Sequence, residues 1–293
     1  ELRAFIDWKP FFIAWEMHGN FPAILTDEIV GKEATKLYND ANALLDKIIT
    51  EKWLTAKGTI GFWEASSNDD EVEVKAEIVN GKSQVVKLQF LRQQIQKAAD
   101  QPNLSLADFI KPASSDFGPQ TSDFLGAFAV TIHGIEPHIK AFEANHDDYN
   151  KIMLQALGDR FAEAFAEHLH ERIRKEFWGY KADETLGNEE LIKEKYVGIR
   201  PAPGYPACPE HSEKAVLFDW LGSEAKIGTK LTEHFAMMPP SSVSGFYYSH
   251  PESEYFNVGK ISQDQLEDYA KRKGWSLDVA KRWLAPNLDD SIV

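Results

Sequence analysis

The sequence predicts a single α+β domain in which helices flank a mainly antiparallel, twisted sheet. Its strand-like and helix-like segments come in clusters rather than in strict strand–helix–strand alternation, and this order favours α+β architecture. No motif recurs at a fixed period, and no flexible Gly/Ser segment divides the chain. We therefore expect residues 1–293 to form one domain.

Composition is that of an ordinary globular protein and disfavours nucleic-acid and membrane roles. The 293 residues are 43% hydrophobic, enough for a sizeable core, and carry a formal net charge of -14. Such a charge opposes binding to a phosphate backbone, and the longest apolar run, Phe124–Ile132, is too short to span a bilayer. Because the chain lacks an initiator methionine, we expect it to be a piece of a longer protein.

The only cysteine, Cys208, excludes an internal disulfide and fits a reducing compartment. We therefore predict a cytoplasmic location. A lone thiol can be reactive, but the interpretation we favour is a small buried filler.

The first half of the chain contains one clear helix and several strands. Apolar residues spaced by three and four predict a helix over Gly31–Ile49. Alternation over Thr59–Phe90 predicts a hairpin with Asn80-Gly81 as its two-residue turn. Pro, Ser and Asp predict a surface segment over Gln101–Gln120, and Asp123–Thr131 is typical of a buried strand.

The second half begins with the longest periodic segment, which predicts a helix against the sheet over Asp148–Phe177. Shorter helices are predicted over Asn188–Tyr196 and Ser212–Leu221. Three strands are predicted between prolines, over Leu231–Met238, Gly245–Ser249 and Tyr255–Val258.

The chain should end in a helical pair. Ser262 with Gln265 predicts a capping box, Gly274 a helix stop, and Ser276 the cap of the last helix. Basic residues in this pair, at 271–273 and 281–282, are compatible with a helix-turn-helix, but the strongly acidic chain disfavours DNA binding.

The segment Ile199–His211 is the strongest candidate for a functional site. Its four prolines remove backbone donors and fix φ, so it is predicted to be a stiff loop. Arg200 supplies a planar cation suited to a carboxylate, Gly204 permits close backbone approach, and Tyr205 offers an aromatic face with a hydroxyl. These groups suit a small-ligand site; the alternative is a surface connection with an ordinary ion-paired arginine.

A second candidate is Glu163, on the predicted long helix. At 100° per residue it lies near small or apolar residues such as Ala156, so its carboxylate could be partly desolvated and available to a cation. Asp159, Glu167 and His170 fall on the same side, which indicates a wet outer face instead.

The proline loop closely resembles the S-adenosylmethionine-binding loop of the C-terminal activation domain of cobalamin-dependent methionine synthase. Four further blocks resemble the same family in the same order and extend the likeness from end to end: Ile6–Phe12, Ala156–Glu167, Ser244–Pro251 and Trp283–Leu288. The resemblance implies binding of S-adenosylmethionine and repair of the enzyme, by reductive methylation of cob(II)alamin.

The family's ligand contacts can be carried over residue by residue. Arg200 would take the ligand carboxylate, Asp7 its ammonium, and Glu163 would be a supporting carboxylate near that end. The backbone from Pro201 through Ala202 and Gly204 to Tyr205 would cradle the adenosine.

Two further pairs complete the implied site. Tyr255 and Phe256 match a two-aromatic binding position where the family more usually has Tyr-Tyr, so the second hydroxyl is missing. Tyr205 and His211 would face the cobalamin. Local interpretations stay open, with Asp7 as a turn cap before Trp8 and Tyr255 as a core strand residue.

The resemblance also implies partners. Cobalamin would come from another module of the enzyme and the electron from a flavodoxin-type donor, for which 271–273 and 281–282 could form a local basic patch. The isolated chain should not make methionine, because it lacks Asp-x-His-x-x-Gly for cobalamin and the thiolates of a zinc site. It also lacks the Gly-x-Gly-x-x-Gly of Rossmann-type methyltransferases. The alternatives are a noncatalytic docking module with a vestigial pocket and an independent methyltransferase.

Overall fold

The computed structural model describes residues 1–78, 82–113 and 123–290. Its strands are β1 Thr55–Asn68, β2 Glu71–Ile78, β3 Lys82–Gln89, β4 Asp123–His133, β5 Lys230–Leu231, β6 Met237–Met238 and β7 Ser242–Tyr247. Five of them form an antiparallel sheet in the order β3-β2-β1-β4-β7, and β5 pairs with β6. The predicted α+β class with a mainly antiparallel sheet is confirmed.

The described residues form nine α-helices. They are α1 Trp8–Ala14, α2 Gly31–Thr50, α3 Ile135–Ala144, α4 Asp148–Arg172, α5 Asn188–Ile192, α6 Glu213–Leu221, α7 Ser223–Ile227, α8 Gln263–Lys273 and α9 Leu277–Leu284. None of these helices combines the length and the apolar character needed to cross a membrane.

The chain contacts divide it into two compact units. Unit 1 comprises residues 1–58, 130–195 and 236–243, and unit 2 comprises residues 59–129, 196–235 and 244–293. Three of the five boundaries between the units along the chain fall inside strands, in β1, β4 and β7. That residues 1–293 act as one domain stays a prediction.

Two helices supply much of the core of unit 1. One face of α2 is buried through Ala34, Leu37, Ala41, Leu45 and Ile48, the spacing that predicts this helix. The apolar stripe of α4 joins the same cluster through residues that include Met153, Leu157 and Phe161. Both predicted helices are confirmed, with α4 followed by a single π turn, Ile173–Phe177.

The predicted hairpin is also confirmed, because β2 and β3 pair from Glu71↔Gln89 to Ile78↔Lys82. Its turn at Asn80-Gly81 lies outside the described residues. The predicted buried strand is β4, which continues to His133 and is buried from Leu125 to Ile132.

Four predicted segments differ from the structure. The predicted surface segment is wrong for Leu106–Ile110, which contains a buried 3-10 turn. Ser105 and Asp108 cap this turn, so its backbone N–H groups find hydrogen-bond partners without water. Residues 114–120 of the predicted segment lie outside the described part. The predicted helix over Asn188–Tyr196 ends at Ile192, just before the positive φ of Glu194 (54°). The strand over Leu231–Met238 is split into β5 and β6 by a turn at Phe235 (φ 60°).

The fourth difference is Tyr255–Val258, which is not a strand. Val258 N–H instead donates to the carbonyl of Pro206 at 2.9 Å, so the segment is held by the proline loop rather than by a sheet.

The terminal helical pair is confirmed, but one cap is not the predicted one. The Ser262 side chain makes no capping bond, and Gln265 instead binds the backbone of Arg92 through its Oε1 (2.6 Å) and Nε2 (2.9 Å). Gly274 ends α8 in the left-handed conformation, and Ser276 caps α9 by accepting from Val279 N–H, both as predicted.

Candidate functional site

The proline loop of unit 2 is fixed at its N-terminal end by backbone hydrogen bonds. Ile199 exchanges two 3.0 Å bonds with Tyr248, and the Pro201 carbonyl accepts from Phe246 N–H at 2.9 Å. Gly245 makes this approach possible, since a Cβ there would lie 2.6 Å from the Pro201 oxygen. The stiff loop that the prolines predict is therefore also held in place by its neighbours.

The middle of the loop is a tight double turn. Tyr205 N–H donates to the Ala202 carbonyl at 3.1 Å, and Cys208 N–H donates to the Tyr205 carbonyl at 2.9 Å. Gly204 sits inside the turn with φ 96°, and its N–H donates to the Cys208 carbonyl at 2.7 Å. Tyr205, in this turn, is 58% exposed.

Arg200 lies in a small cluster with two tyrosines. Its guanidinium donates from Nη1 to Tyr196 Oη at 2.9 Å, and its backbone N–H donates to Tyr255 Oη, also at 2.9 Å. The two hydroxyls are 3.1 Å apart. The structure thus brings together Arg200 and Tyr255, which are predicted site residues, and adds Tyr196.

Phe256, next to Tyr255, is half-buried and packs against the core cluster formed largely by α8 and α9. Its ring also meets that of Phe109 edge-on at 6.3 Å. These contacts are apolar, so a phenylalanine fits the position without a hydroxyl.

At the C-terminal end of the loop, unit 2 contains a buried charge cluster of Glu210, Glu213 and Lys273. The carboxylate side chains are 2% and 1% exposed, and the Lys273 ammonium lies 2.8 Å from Glu213 and 3.6 Å from Glu210. Tyr269 Oη also donates to Glu210 at 3.2 Å. Burial raises the pKa of Glu213, and the ammonium of Lys273 opposes that rise.

Cys208 is part of the same buried region. Burial raises the pKa of its thiol well above the usual value, and the carboxylates of Glu213 and Glu210 act in the same direction. A thiol in this setting stays protonated, which fits the predicted buried filler and not a reactive nucleophile.

Two of the five residues of the predicted basic patch, Arg272 and Lys273, bind neighbouring groups, and for Lys271, Lys281 and Arg282 the patch stays a prediction. Lys273 is bound to Glu213, and Arg272 donates to Asp268, to the Gln89 side chain and to the Phe90 carbonyl. Neither of these cations forms part of an open basic surface.

Two predicted ligand contacts, Asp7 and Glu163, belong to unit 1. Asp7 caps α1 by accepting from Lys9 N–H at 3.0 Å, which is the local interpretation of this residue. Glu163 is half-buried on α4. Their roles toward a ligand stay predictions.

The face of α4 that carries Glu163 is not the wet surface that the sequence indicates. Glu167 is 7% exposed and His170 is fully buried, so polar residues on this face are partly core residues. Asp159 accepts from Ser241 Oγ at 2.8 Å beside a cavity of about 460 Å³ in unit 1. None of the predicted ligand-binding residues lines that cavity.

Comparisons with known proteins identify the family. The model of the vitamin B12 dependent methionine synthase activation domain matches residues 1–274. The chain belongs to this activation-domain family. A crystal structure of the MetH reactivation domain bound to AdoHcy is 52% identical, with a TM-score of 0.89, and the match covers 98% of this chain and 87% of that one.

Sequence reasoning missed two residues of this activation domain's loop region, Tyr196 and Lys214. Tyr196 lies four positions before Arg200 and binds its guanidinium. Lys214 follows His211 by three positions and places its Nζ 2.9 Å from His211 Nδ1. The spacing of three between His211 and Lys214 could have indicated their contact, because residues three apart lie on the same face of a helix.

Gly204→Ala is expected to distort this loop and lower stability. A Cβ at position 204 would lie 2.2 Å from Cε1 of His211, so the imidazole has to move. The positive φ of 96° adds about 1–2 kcal/mol for any residue with a side chain. Urea unfolding measures the combined cost.

Gly274→Ala is the matched control for that variant. Gly274 also has a positive φ (66°), but a Cβ there meets nothing within 4 Å. The difference between the two variants therefore isolates the clash with His211. Equal losses of stability would show that the imidazole is not packed against Gly204.

Proposed function

We propose that this activation domain binds S-adenosylmethionine and presents its methyl group for reductive methylation of cob(II)alamin in cobalamin-dependent methionine synthase. The observation that carries the proposal is the 52% identical relative over 98% of the chain, which was crystallised with AdoHcy. AdoHcy is what remains of S-adenosylmethionine after its methyl group has left. A site that holds the product skeleton suits the substrate as well.

The chemistry needs positioning rather than acid–base catalysis. Reductive methylation of cob(II)alamin would consume one electron from a flavodoxin-type donor and the sulfonium methyl of S-adenosylmethionine, and would leave methylcobalamin and AdoHcy. No proton moves in the transfer, so the domain's contribution is to hold the sulfonium in line with the cobalt. The cobalamin comes from another module of the enzyme, and the isolated chain is not expected to make methionine.

Arg200 is the proposed carboxylate anchor. Its guanidinium is a planar fork of N–H donors, and Nη1 binds Tyr196 Oη. The backbone bond to Tyr255 and the fixed turn from Pro201 through Ala202 and Gly204 to Tyr205 hold the base of the side chain. This preorganisation favours bidentate recognition of a carboxylate.

The remaining assignments follow from the resemblance. Asp7 is proposed to take the ligand ammonium and Glu163 to support it, while Tyr255 and Phe256 flank the ligand. Tyr205 and His211 are proposed to face the cobalamin; the 58% exposure of Tyr205 supports that role.

Arg200→Ala is expected to weaken S-adenosylmethionine binding by roughly 1.5–3 kcal/mol, or about ten- to hundredfold in Kd, the usual range for a bond to a charged group. Isothermal titration calorimetry with S-adenosylmethionine measures this change in Kd. Arg282→Ala, which removes an exposed cation of the same unit, is the control and should leave Kd unchanged.

Asp7→Asn is the companion variant in the same titration. Asparagine caps a helix as well as aspartate does, so α1 should stay intact while the negative charge is lost.

A wild-type protein that gives no saturable heat would remove the proposed function. Partner binding without any dependence on ligand or on Arg200 would instead support a docking module.

A further inference from the structure

His211 is held between the loop and the start of α6. Its ring lies directly over Gly204, which has no side chain to displace it. On the other side, Nζ of Lys214 is 2.9 Å from the ring nitrogen Nδ1. The other ring nitrogen, Nε2, hydrogen-bonds to no described residue and is not among the buried polar atoms.

The position of Lys214 is itself fixed. Its side chain is largely buried, and Nζ also approaches the carbonyl of Phe235 at 3.3 Å. Phe235 has a positive φ (60°), and its ring packs on Trp283 at 5.1 Å. The ammonium is therefore also held by a group other than His211.

An ammonium has three donors and no acceptor. Burial lowers the pKa of Lys214 and Glu210 opposes that shift; in the ammonium form of Lys214 the short contact requires an unprotonated Nδ1, and the proton of a neutral imidazole then sits on Nε2. The charged groups that act on this ring agree with that state. Burial lowers the pKa of His211, the Lys214 ammonium lowers it further, and only Glu210 opposes them.

We propose that Lys214 is a positioning residue that fixes His211 as the neutral imidazole with its proton on Nε2. The loop then presents a hydrogen-bond donor, not a cation, on the segment that also carries the exposed Tyr205. Such a donor suits the amide oxygens at the edge of a corrin ring. This last step rests on the proposed function, whereas the protonation state of His211 does not.

The protonation state can be measured directly in the wild-type chain by long-range ¹H–¹⁵N NMR with ¹⁵N-labelled histidine. The signals of His211 are assigned by their loss in His211→Asn. At neutral pH we expect an unprotonated Nδ1, a protonated Nε2 and a pKa below the ordinary value. A proton on Nδ1, or a doubly protonated ring at neutral pH, would overturn the proposal.

Lys214→Met tests the cause. We expect both tautomers to become populated and the pKa of His211 to rise, because the ammonium is gone and Glu210 remains. Lys214→Arg keeps a cationic donor and should restore the Nε2-protonated form, and Lys230→Met, at an exposed lysine of the same unit, should change nothing. Unchanged His211 signals in Lys214→Met would refute the role of Lys214.

A second readout uses the full-length enzyme. Lys214→Met should slow reductive methylation of cob(II)alamin roughly three- to tenfold, the worth of one hydrogen bond, with an unchanged Kd for S-adenosylmethionine. An unchanged rate would overturn the donor role toward the corrinoid. A wild-type chain with the expected His211 tautomer but no S-adenosylmethionine binding would remove the proposed function and leave the role of Lys214 intact.

Discussion

Replacing Lys273 with methionine is expected to cost about 3–5 kcal/mol of folding free energy, the usual penalty for breaking a buried ion pair. The side chains of Glu210 and Glu213 are 2% and 1% exposed, and the Lys273 ammonium lies within 2.8 Å of the second. Methionine fills a similar volume but leaves two carboxylates buried next to each other. Urea unfolding followed by fluorescence measures the loss.

The size of this loss should depend on pH. Burial already raises the pKa of Glu213 above its value in the unfolded chain, and removing the ammonium raises it further. The folded variant then binds more protons than the unfolded one at weakly acidic pH, so its stability falls as pH rises through the folded pKa. The variant should thus be less impaired near pH 5 than at pH 7.

Lys271→Met is the matched control, because Lys271 is exposed two positions away on the same helix. It should change stability by less than about 0.5 kcal/mol. A loss in Lys273→Met that is equally small, or that does not vary between the two pH values, would mean that the cluster is not a buried ion pair.

Local sequence patterns predict those helices and strands whose apolar face does not depend on which segment packs against it. The α2 helix, the β2–β3 hairpin and the buried β4 follow from spacing alone, because a helix face or a strand face has to be apolar wherever the core lies. The segment Tyr255–Val258 has the same aromatic and β-branched character as a strand. Its backbone is instead bound by the Pro206 carbonyl, at Val258, and by the Gln93 side chain, at Asn257, and no local pattern encodes these contacts.

Charged residues show the same limit. A basic run at the end of a helix is usually solvated, and nothing in the sequence around Lys273 indicates that it meets Glu210 in the proline loop and Glu213 just after it. The same holds for Glu167 and His170. A helical wheel predicts which face of α4 they occupy, but it does not predict which other segment of the chain buries that face. Within the site, the loop residues were identified by their motif, whereas Tyr196 and Lys214 were found only through contacts.

Glu184→Gln is expected to destabilise unit 1 by about 3–5 kcal/mol, although it changes the side chain by a single group. Arg174 is fully buried in the π turn after α4, and its Nε and Nη2 lie 2.7–3.0 Å from the Glu184 oxygens. The amide removes the compensating charge and one acceptor. The guanidinium cannot lose its proton, so it stays a buried cation that has lost the charge of Glu184.

The chain offers a matched control only two residues from Arg174. Arg172 and Glu176 form the same type of ion pair at 2.8 Å, but their side chains are 42% and 56% exposed. Glu176→Gln should therefore cost less than about 1 kcal/mol, because water already screens that pair. Thermal and urea unfolding of the two variants compare one chemical change at two levels of burial. Similar losses would mean that burial does not set the strength of the Arg174–Glu184 pair.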